Sequence, residues 1–329
     1  MVVVTGATGH IGNALVRALI ANKESVSAFV APGDDTSCIE HLDLKIIYGD
    51  VRNIDDLIRA FNGVNTVYHL AGIVSIISKD TKTMYEINVE GTKNVIRACL
   101  ECNVGKLIYT SSVHAFTELP KGITIKETLN FEPQKIIGDY GKSKAEATSA
   151  VLAGVKDGLN AVIVHPSGVI GPYEYRLSYT GQMILDFING KLPFRIDGSY
   201  DFVDVRDVAD GIILAGQRGS IGDNYILSGY LLSIEDIFNI LKNITGMNPP
   251  KIKIPIWVAK VCHPFVTKYA QITGKRPLYT PYSLYTLSSN ALFSHDKATS
   301  ELGYNVRPII ETFKDTIIWF KDHGYLVSQ

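Results

Sequence analysis

Cysteine is scarce in this chain. Four thiols, Cys38, Cys99, Cys102 and Cys262, are spread over 329 residues, which excludes the disulfide framework of a small secreted domain and reads as reduced thiols of a cytoplasmic protein. Cys99-Leu-Glu-Cys102 spells C-x-x-C, but no second pair accompanies it and it closes an amphipathic helical pattern, so it reads as helix interior. The eight histidines contain no H-x-x-x-H pair, and no metal is expected. An excess of one charge is lacking too: Lys+Arg is 32 against 33 Asp+Glu, net −1, so neither nucleic acid nor an anionic membrane is an expected partner. No apolar run reaches the ~18 residues of a bilayer span, and the chain begins inside its first strand with no charged-then-apolar leader. A protein acting on a small molecule in the cytoplasm is what these absences leave, long enough for one large or two modest domains.

What is present begins at Met1–Gly12, MVVVTGATGHIG, where an apolar run meets Gly6, Gly9 and Gly12 and a helical pattern starts. An extended run that ends in glycines and opens a helix is a phosphate-binding turn, because main-chain N–H groups can approach a pyrophosphate at the positive helix end. The spacing is G-x-x-G-x-x-G, a variant of the two-site fingerprint G-x-G-x-x-G.

From Met1 to His165, strand-like runs alternate with helical patterns: Val2–Thr5, a helix from Ile11, Val26–Val30, Leu44–Tyr48, a helix near Ile54–Phe61, Thr66–Leu70, a helix near Asn88–Cys102, Lys106–Thr110, a helix from about Asp139, and Ala161–His165. This is the pattern of an α/β, Rossmann-type doubly wound parallel sheet, whose ligands bind beyond the carboxyl ends of the strands. At one such end Asp50 either accepts from an adenine amino group, with Val51 packed on the ring, or caps the following helix. At another, Ala71-Gly72 offers small residues where backbone must come close to a ligand or to its own neighbours.

Tyr140 and Lys144, in Tyr140-Gly-Lys-Ser-Lys144, are four apart and share one helical face. An ammonium beside a phenol favours the phenolate and lowers its pKa from ~10 toward the working range of a proton donor or acceptor. The pair follows the serines Ser111-Ser112 at a strand end, and that conjunction is far more specific than either part.

At this point the chain resembles the extended short-chain dehydrogenase/reductases of the NAD-dependent epimerase/dehydratase superfamily. The motifs that carry the resemblance run in order: TGATGHIG (5–12), GDV (49–51), HLAG (69–72), NVEGTKNV (88–95), YTSS (109–112), YGKSK (140–144), HPSGVIGP (165–172) and FVDVRDVADG (202–211). The resemblance implies Ser112 as the hydrogen-bonding hydroxyl, with Ser111 the adjacent alternative, Tyr140 as acid/base and Lys144 as the ribose-binding lysine. It implies cofactor contacts at Gly6, Thr8, Gly9, His10, Ile11, Gly12, Asp50, Val51, Leu70, Ala71, Gly72, Asn88, Tyr140, Lys144, Pro166, Gly168 and Val169, with Pro166-Ser167-Gly168 lining the nicotinamide. It also implies a homodimer through the helices around Asn88–Cys102 and Asp139–Gly154.

Two departures from the family's pattern bear on specificity. Many NADP-using relatives carry an arginine right after the second strand, where this chain has Ala31-Pro-Gly-Asp-Asp35. A 2′-phosphate beside Asp34 and Asp35 would be repelled, so NAD(H) is favoured over NADP(H). Nucleotide-sugar relatives often place a diphosphate-gripping arginine two residues before the aromatic of the later motif, and this chain has Tyr200 there. The candidate pocket stretches Ile73–Ser78, His114–Phe116, Ile136–Ile137, Tyr173–Tyr179 and Phe265–Tyr269 are mainly apolar and aromatic, with Arg176 the one expected fixed cation. Such a cleft suits a flat or isoprenoid-like carbonyl compound, as in the dihydroflavonol reductase and hydroxysteroid dehydrogenase branches.

The expected reaction is hydride transfer between a nicotinamide and a secondary alcohol or ketone; the alternatives are a nucleotide-sugar epimerase or dehydratase holding NAD tightly, and a non-catalytic NAD(H) sensor. After Pro172 the alternation breaks down. A dinucleotide-binding domain over 1–170 and a smaller mixed substrate domain over 171–329 are expected, with Val203–Val205 and Tyr225–Leu227 returning to the sheet. Ser233-Ile-Glu-Asp236 reads as a capping box. Ile254–Thr273 reads as an amphipathic helical segment whose Trp257, Phe265 and Tyr269 make a membrane-facing or lid surface or, since Lys260 and Lys268 are too few for a basic anchor, a buried face, and Ile309–His323 as a final helix.

Overall fold

The structure, a computed structural model, describes residues 1–74, 81–259, 261 and 281–326. Its strands are β1 (Val2–Thr5), β2 (Val26–Val30), β3 (Lys45–Tyr48), β4 (Thr66–His69), β5 (Lys106–Thr110), β6 (Ala161–Pro166), β7 (Gly168–Ile170), β8 (Arg195–Ile196), β9 (Ser199–Asp204), β10 (Asn224–Leu227), β11 (Tyr230–Ser233) and β12 (Lys253–Ile254). Seven of them form one sheet in the order β10-β6-β5-β4-β1-β2-β3, every pairing parallel. This is the doubly wound Rossmann sheet expected from the alternation.

Side-chain alternation along these strands builds two separate cores. On β1, Val2 and Val4 face the layer of α1 (His10–Ala21) and α7 (Val205–Arg218), with Leu15, Leu19, Val208 and Ile212. Val3 faces the opposite layer, of α2 (Ile54–Phe61), α4 (Thr92–Glu101) and α5 (Asp139–Lys156), with Leu57, Phe61, Val95 and Val151. Cys99 is buried in that second layer and Cys102 donates to the Ile58 carbonyl, which is why the C-x-x-C belongs to helix packing; Cys38, Cys99 and Cys102 are all free.

The helix expected near Asn88–Cys102 begins earlier, as α3 (Thr81–Tyr85), and passes through a π-helical segment, Glu86–Gly91, before α4. Such bulges redirect side chains, and this one carries Asn88.

Beyond β6, β7 pairs parallel with β9 and β9 antiparallel with β11, while β8 and β12 form a second small sheet. Tyr225–Leu227 lies in β10 at the edge of the central sheet. Val203 and Asp204 instead pair with β7 in the small sheet, and Val205 opens α7, which packs on the large one. A third core, with Phe187, Phe238, Phe313 and Phe320, joins α6 (Tyr179–Ile188), α8 (Ile234–Thr245) and the helix Ile309–Asp322. The Ser233–Asp236 capping box opens α8, with both reciprocal bonds made. Trp257 is 67% exposed, not buried as the helical spacing implied; Cys262, Phe265 and Tyr269 lie outside the described residues, as do positions 75–78. Among the described residues no helix is long and apolar enough to cross a membrane, and no group of three or more His, Cys, Asp or Glu is placed to hold a metal ion.

Candidate active site

The glycine turn is built by close approach. Gly6 sits at φ +73, where a Cβ would stand 2.7 Å from the Ala71 nitrogen, and a Cβ on Gly12 would stand 2.0 Å from the Gly6 carbonyl oxygen. Strand end, helix start and the chain after β4 are thereby pressed together. Gly9 is the N-cap of α1 with no side-chain cap, and the first turn holds no acidic residue, so the positive helix end keeps its N–H groups for an anion.

The next stretch is held by a hydrogen-bond chain. Thr5 Oγ1 accepts from the Leu70 and Ala71 backbone N–H groups at 3.2 and 3.1 Å, so its own proton goes to His69 Nδ1 at 2.7 Å. His69 Nε2 then donates to Thr92 Oγ1 at 3.0 Å, and Thr92 donates to the Asn88 carbonyl at 2.7 Å. Complete burial keeps this imidazole neutral, its pKa pushed down to about 3. Asn88 closes the arrangement: its amide accepts from Ile73 N at 2.8 Å, donates to Ile73 O at 3.0 Å and donates to Ser143 Oγ at 3.1 Å.

Ser143 in turn donates to the Tyr140 carbonyl at 2.8 Å, which ties this frame to the first turn of α5. That helix starts at Gly138, φ +87, directly beneath the ring of Tyr282. Tyr140 and Lys144 are both buried. Lys144 Nζ donates to the Thr110 carbonyl at 2.9 Å and lies 3.5 Å from where a Gly72 Cβ would be.

The electrostatics differ from the expected one. The ammonium was to lower the phenol's pKa, but burial pushes Tyr140 up to about 12, with a hydrogen bond from the Ser112 side chain as the opposing influence. Burial also pushes Lys144 down to about 8. Desolvation outweighs the pairing because Lys144 spends its bond on a backbone carbonyl.

The two adjacent serines have different surroundings. Ser111 Oγ is bonded to Thr148 Oγ1 at 2.7 Å inside the protein, whereas Ser112 Oγ accepts from His114 N at 3.2 Å on the Tyr140 side. His165 Nδ1 donates to the Ser112 carbonyl at 3.3 Å, and burial holds its pKa down to about 3.

The other expected positions make the following contacts within the chain. Asp50 is gripped by Arg52, whose Nε lies 3.1 and 3.0 Å from its two oxygens, and the cap of α2 is Asn53. Val51 is buried over Gly91, and Ile11 packs on the α1 core. His10 donates to the Pro172 carbonyl at 2.9 Å, and Thr8 to Asp34 at 3.1 Å. Pro166 pairs with Leu227 and Val169 with Val203 in the sheets, while a Cβ on Gly168 would meet the Tyr200 ring at 2.9 Å. Arg176 does not enter a substrate cleft; it pairs with Asp34 at 3.2 Å.

A cavity of about 460 Å³ is lined by His114, Phe116, Ile136, Ile137, Tyr200 and Phe293, with Glu118, Lys121 and Lys135 among its charged residues. Tyr173–Tyr179 is not part of it. Tyr200 and His114 were not foreseen as a pair: the Tyr200 hydroxyl and His114 Nε2 are bonded at 2.9 Å, the rings are stacked, and His114 stands edge-on to Tyr140 with centroids 5.9 Å apart. The helix Pro281–Ser288 also went unforeseen as a wall; Tyr285 bonds to Glu118 there.

The family model described as "NAD dependent epimerase/dehydratase family" matches residues 2–228. This chain belongs to that family. Its cofactor is NAD(H), and the turn fits one: an uncapped helix start, two glycines whose side-chain positions are filled by backbone, and Gly72 beside Lys144. Among family relatives, the chain is 31% identical to "Sterol demethylase protein B" of Methylococcus capsulatus, covering 98% of this chain and 99% of that one. It is 32% identical to the "Putative dihydroflavonol 4-reductase" of Synechocystis, covering 99% and 96%. The crystal structure of gox2253 superposes with a TM-score of 0.87 at 36% identity, covering 99% of both chains.

Proposed function

We propose that this chain is an NAD(H)-dependent oxidoreductase of the cytoplasm that interconverts a secondary alcohol and a ketone on a small molecule with a largely apolar, ring-bearing skeleton of the dihydroflavonol or steroid kind. The observation that carries this reading is Tyr200. Where nucleotide-sugar relatives carry a cation for a diphosphate, this chain has a buried phenol locked to His114 on the wall of a cavity whose apolar side is formed by Val113, Phe116, Ile125, Ile136 and Phe293. A diphosphate would have to shed its water there with no charged partner from that position.

Bound NAD(H) supplies the acceptor or donor of the hydride. Tyr140, with its pKa pushed up to about 12, holds its proton at neutral pH and gives it to a substrate oxygen that gains charge. Ser112 Oγ accepts from His114 N and its hydroxyl lies within hydrogen-bond reach of Tyr140, so a substrate oxygen seated there would receive both hydroxyls. Lys144 spends one of three N–H donors on Thr110, leaving two for the ribose hydroxyls. The names of the two relatives that match over nearly their whole lengths, a sterol demethylase component and a dihydroflavonol reductase, support the same substrate class.

The test is stoichiometry. With NADH and a panel of aryl ketones, steroid ketones and sugar nucleotides, the reading expects progressive loss of NADH absorbance with an apolar ketone. Conversion of a sugar nucleotide with no net change in NADH would replace it by an epimerase, and binding without turnover across the panel by a sensor.

A further inference from the structure

The cavity has two unlike ends. Val113, Phe116, Ile125 and Ile136 among its lining residues are buried, while Lys121, Lys135 and Ile137 are exposed, which marks the mouth. The bonded pair His114 and Tyr200 also lines it, and His114 is the ring that stands edge-on to Tyr140 with centroids 5.9 Å apart. A volume of about 460 Å³ falls in the range of small-molecule sites. A molecule with its carbonyl at Tyr140 therefore lays its skeleton along the buried walls and ends among the exposed residues.

Three charged side chains line the cavity, and they are not equivalent. Glu118 has both carboxylate oxygens occupied: Oε2 accepts from the Tyr285 hydroxyl and Oε1 from Asn290 N at 3.2 Å. Lys135 is paired with Glu132 at 2.8 Å. Lys121 has no ion-pair or hydrogen-bond partner among the described residues. Its backbone is nevertheless held. Lys121 and Gly122 are the central residues of a turn closed by Ile123 N, which donates to the Pro120 carbonyl at 3.1 Å, and Gly122 takes φ +85, an angle glycine adopts without strain. The buried Asn290 amide donates to both ends of that turn, to the Pro120 carbonyl at 3.1 Å and the Ile123 carbonyl at 2.7 Å. Ile125 N then donates to the Leu292 carbonyl at 2.8 Å, and Ser294 N to the Ile125 carbonyl at 3.0 Å. A buried side chain spent on two loop carbonyls fixes the turn, and with it the place where an unpaired ammonium stands.

We propose that Lys121 reads a carboxylate at the end of the substrate remote from its carbonyl. Lys121 acts here on the substrate of the reaction proposed for Tyr140, so its role rests on that reading of the cavity. The carbonyl takes its proton from Tyr140 and the apolar skeleton fills the buried walls. The carboxylate stays at the mouth, where it keeps most of its water and pairs with the lining ammonium that is left unengaged. One free ammonium matches one negative charge: Glu118 is spent on Tyr285 and Asn290, and Lys135 on Glu132.

The experiment uses two probes, a steroid ketone with a side-chain carboxylate at the far end of the ring system and its primary carboxamide. Their affinities are measured by calorimetric titration of the NAD⁺-loaded protein, in which a ketone cannot react, and their turnover with NADH is followed in parallel. The wild type should bind the carboxylate about fivefold more tightly than the carboxamide, a preference that shrinks with added salt. Lys121→Met should abolish the preference, while Lys121→Arg and Lys135→Met keep it. In turnover of the carboxylate, Lys121→Met should raise KM and leave kcat unchanged, because the ion pair is the same in ground and transition states. Far-UV circular dichroism should match the wild type throughout, since both lysines are exposed. Equal affinity of the wild type for the two probes, binding of neither, a preference that survives Lys121→Met, or one that falls as far in Lys135→Met would overturn the role of Lys121. NADH consumption with equal affinity for both probes leaves the reaction standing without Lys121. A carboxylate preference with no NADH consumed leaves Lys121 standing and removes the reaction.

Discussion

Replacing Gly12 by alanine places a methyl group 2.0 Å from the Gly6 carbonyl oxygen, 2.8 Å from the Gly6 carbonyl carbon and 2.9 Å from Ala7 Cα. All three are backbone atoms, so no side chain can swing away. Restoring ordinary contact requires turn and helix to part by about 1.4 Å. A misplacement of about 1 Å at a positioning element costs on the order of 10²-fold, so the NADH dissociation constant should rise by roughly that factor, about 2.7 kcal/mol. Global stability should fall by only ~1–3 kcal/mol, as for other overpacked contacts. Titration of NADH by fluorescence reads the first quantity and urea unfolding the second. Gly158→Ala is the companion: at φ +100 with nothing within 4 Å, it should cost ~1–2 kcal/mol of stability and leave NADH binding alone. If Gly12→Ala bound NADH like the wild type, the close approach of turn to helix would not be what shapes the cofactor site.

Three further substitutions have defined outcomes. Asn88→Ala removes the bonds to Ile73 N, Ile73 O and Ser143, and should lower stability by about 2–3 kcal/mol in urea unfolding while weakening NADH binding, because residues 70–73 lose their anchor. Tyr200→Phe leaves His114 Nε2 unpaired and should cost ~1–3 kcal/mol by the same assay. Burial holds Lys144 at about 8 against 10.5, so between those pH values the unfolded chain binds more protons than the folded one and stability rises with pH. The difference between wild type and Lys144→Met should track that window by at most about 3 kcal/mol, and a flat difference from pH 8 to 10.5 would contradict the depressed value.

The central sheet was legible because its inner strands are buried on both faces and read as unbroken apolar runs; VVVT and AVIVHP admit little else. The glycine turn and the Tyr140–Lys144 face were legible because their spacing is local. What escaped depends on partners remote in sequence. Arg176 looked like a cleft cation until 171–178 carried it to Asp34, 142 positions away. The raised Tyr140 pKa was illegible for a similar reason: spacing brings the lysine to the same face, but only three-dimensional structure shows that it bonds to Thr110 and that both groups are stripped of water. Val203 reads as a strand of the large sheet because its apolar character is the same in either sheet, and its pairing with Val169 decides the matter.

The claim on which the account turns is that the buried Tyr140 hydroxyl moves the proton while other groups hold the cofactor. Its most direct test is Tyr140→Phe, with turnover and NADH affinity measured on the same preparation. The account predicts that kcat falls by ~10²–10⁴ and that the NADH dissociation constant stays within about threefold of the wild type. Turnover at the wild-type rate would contradict it.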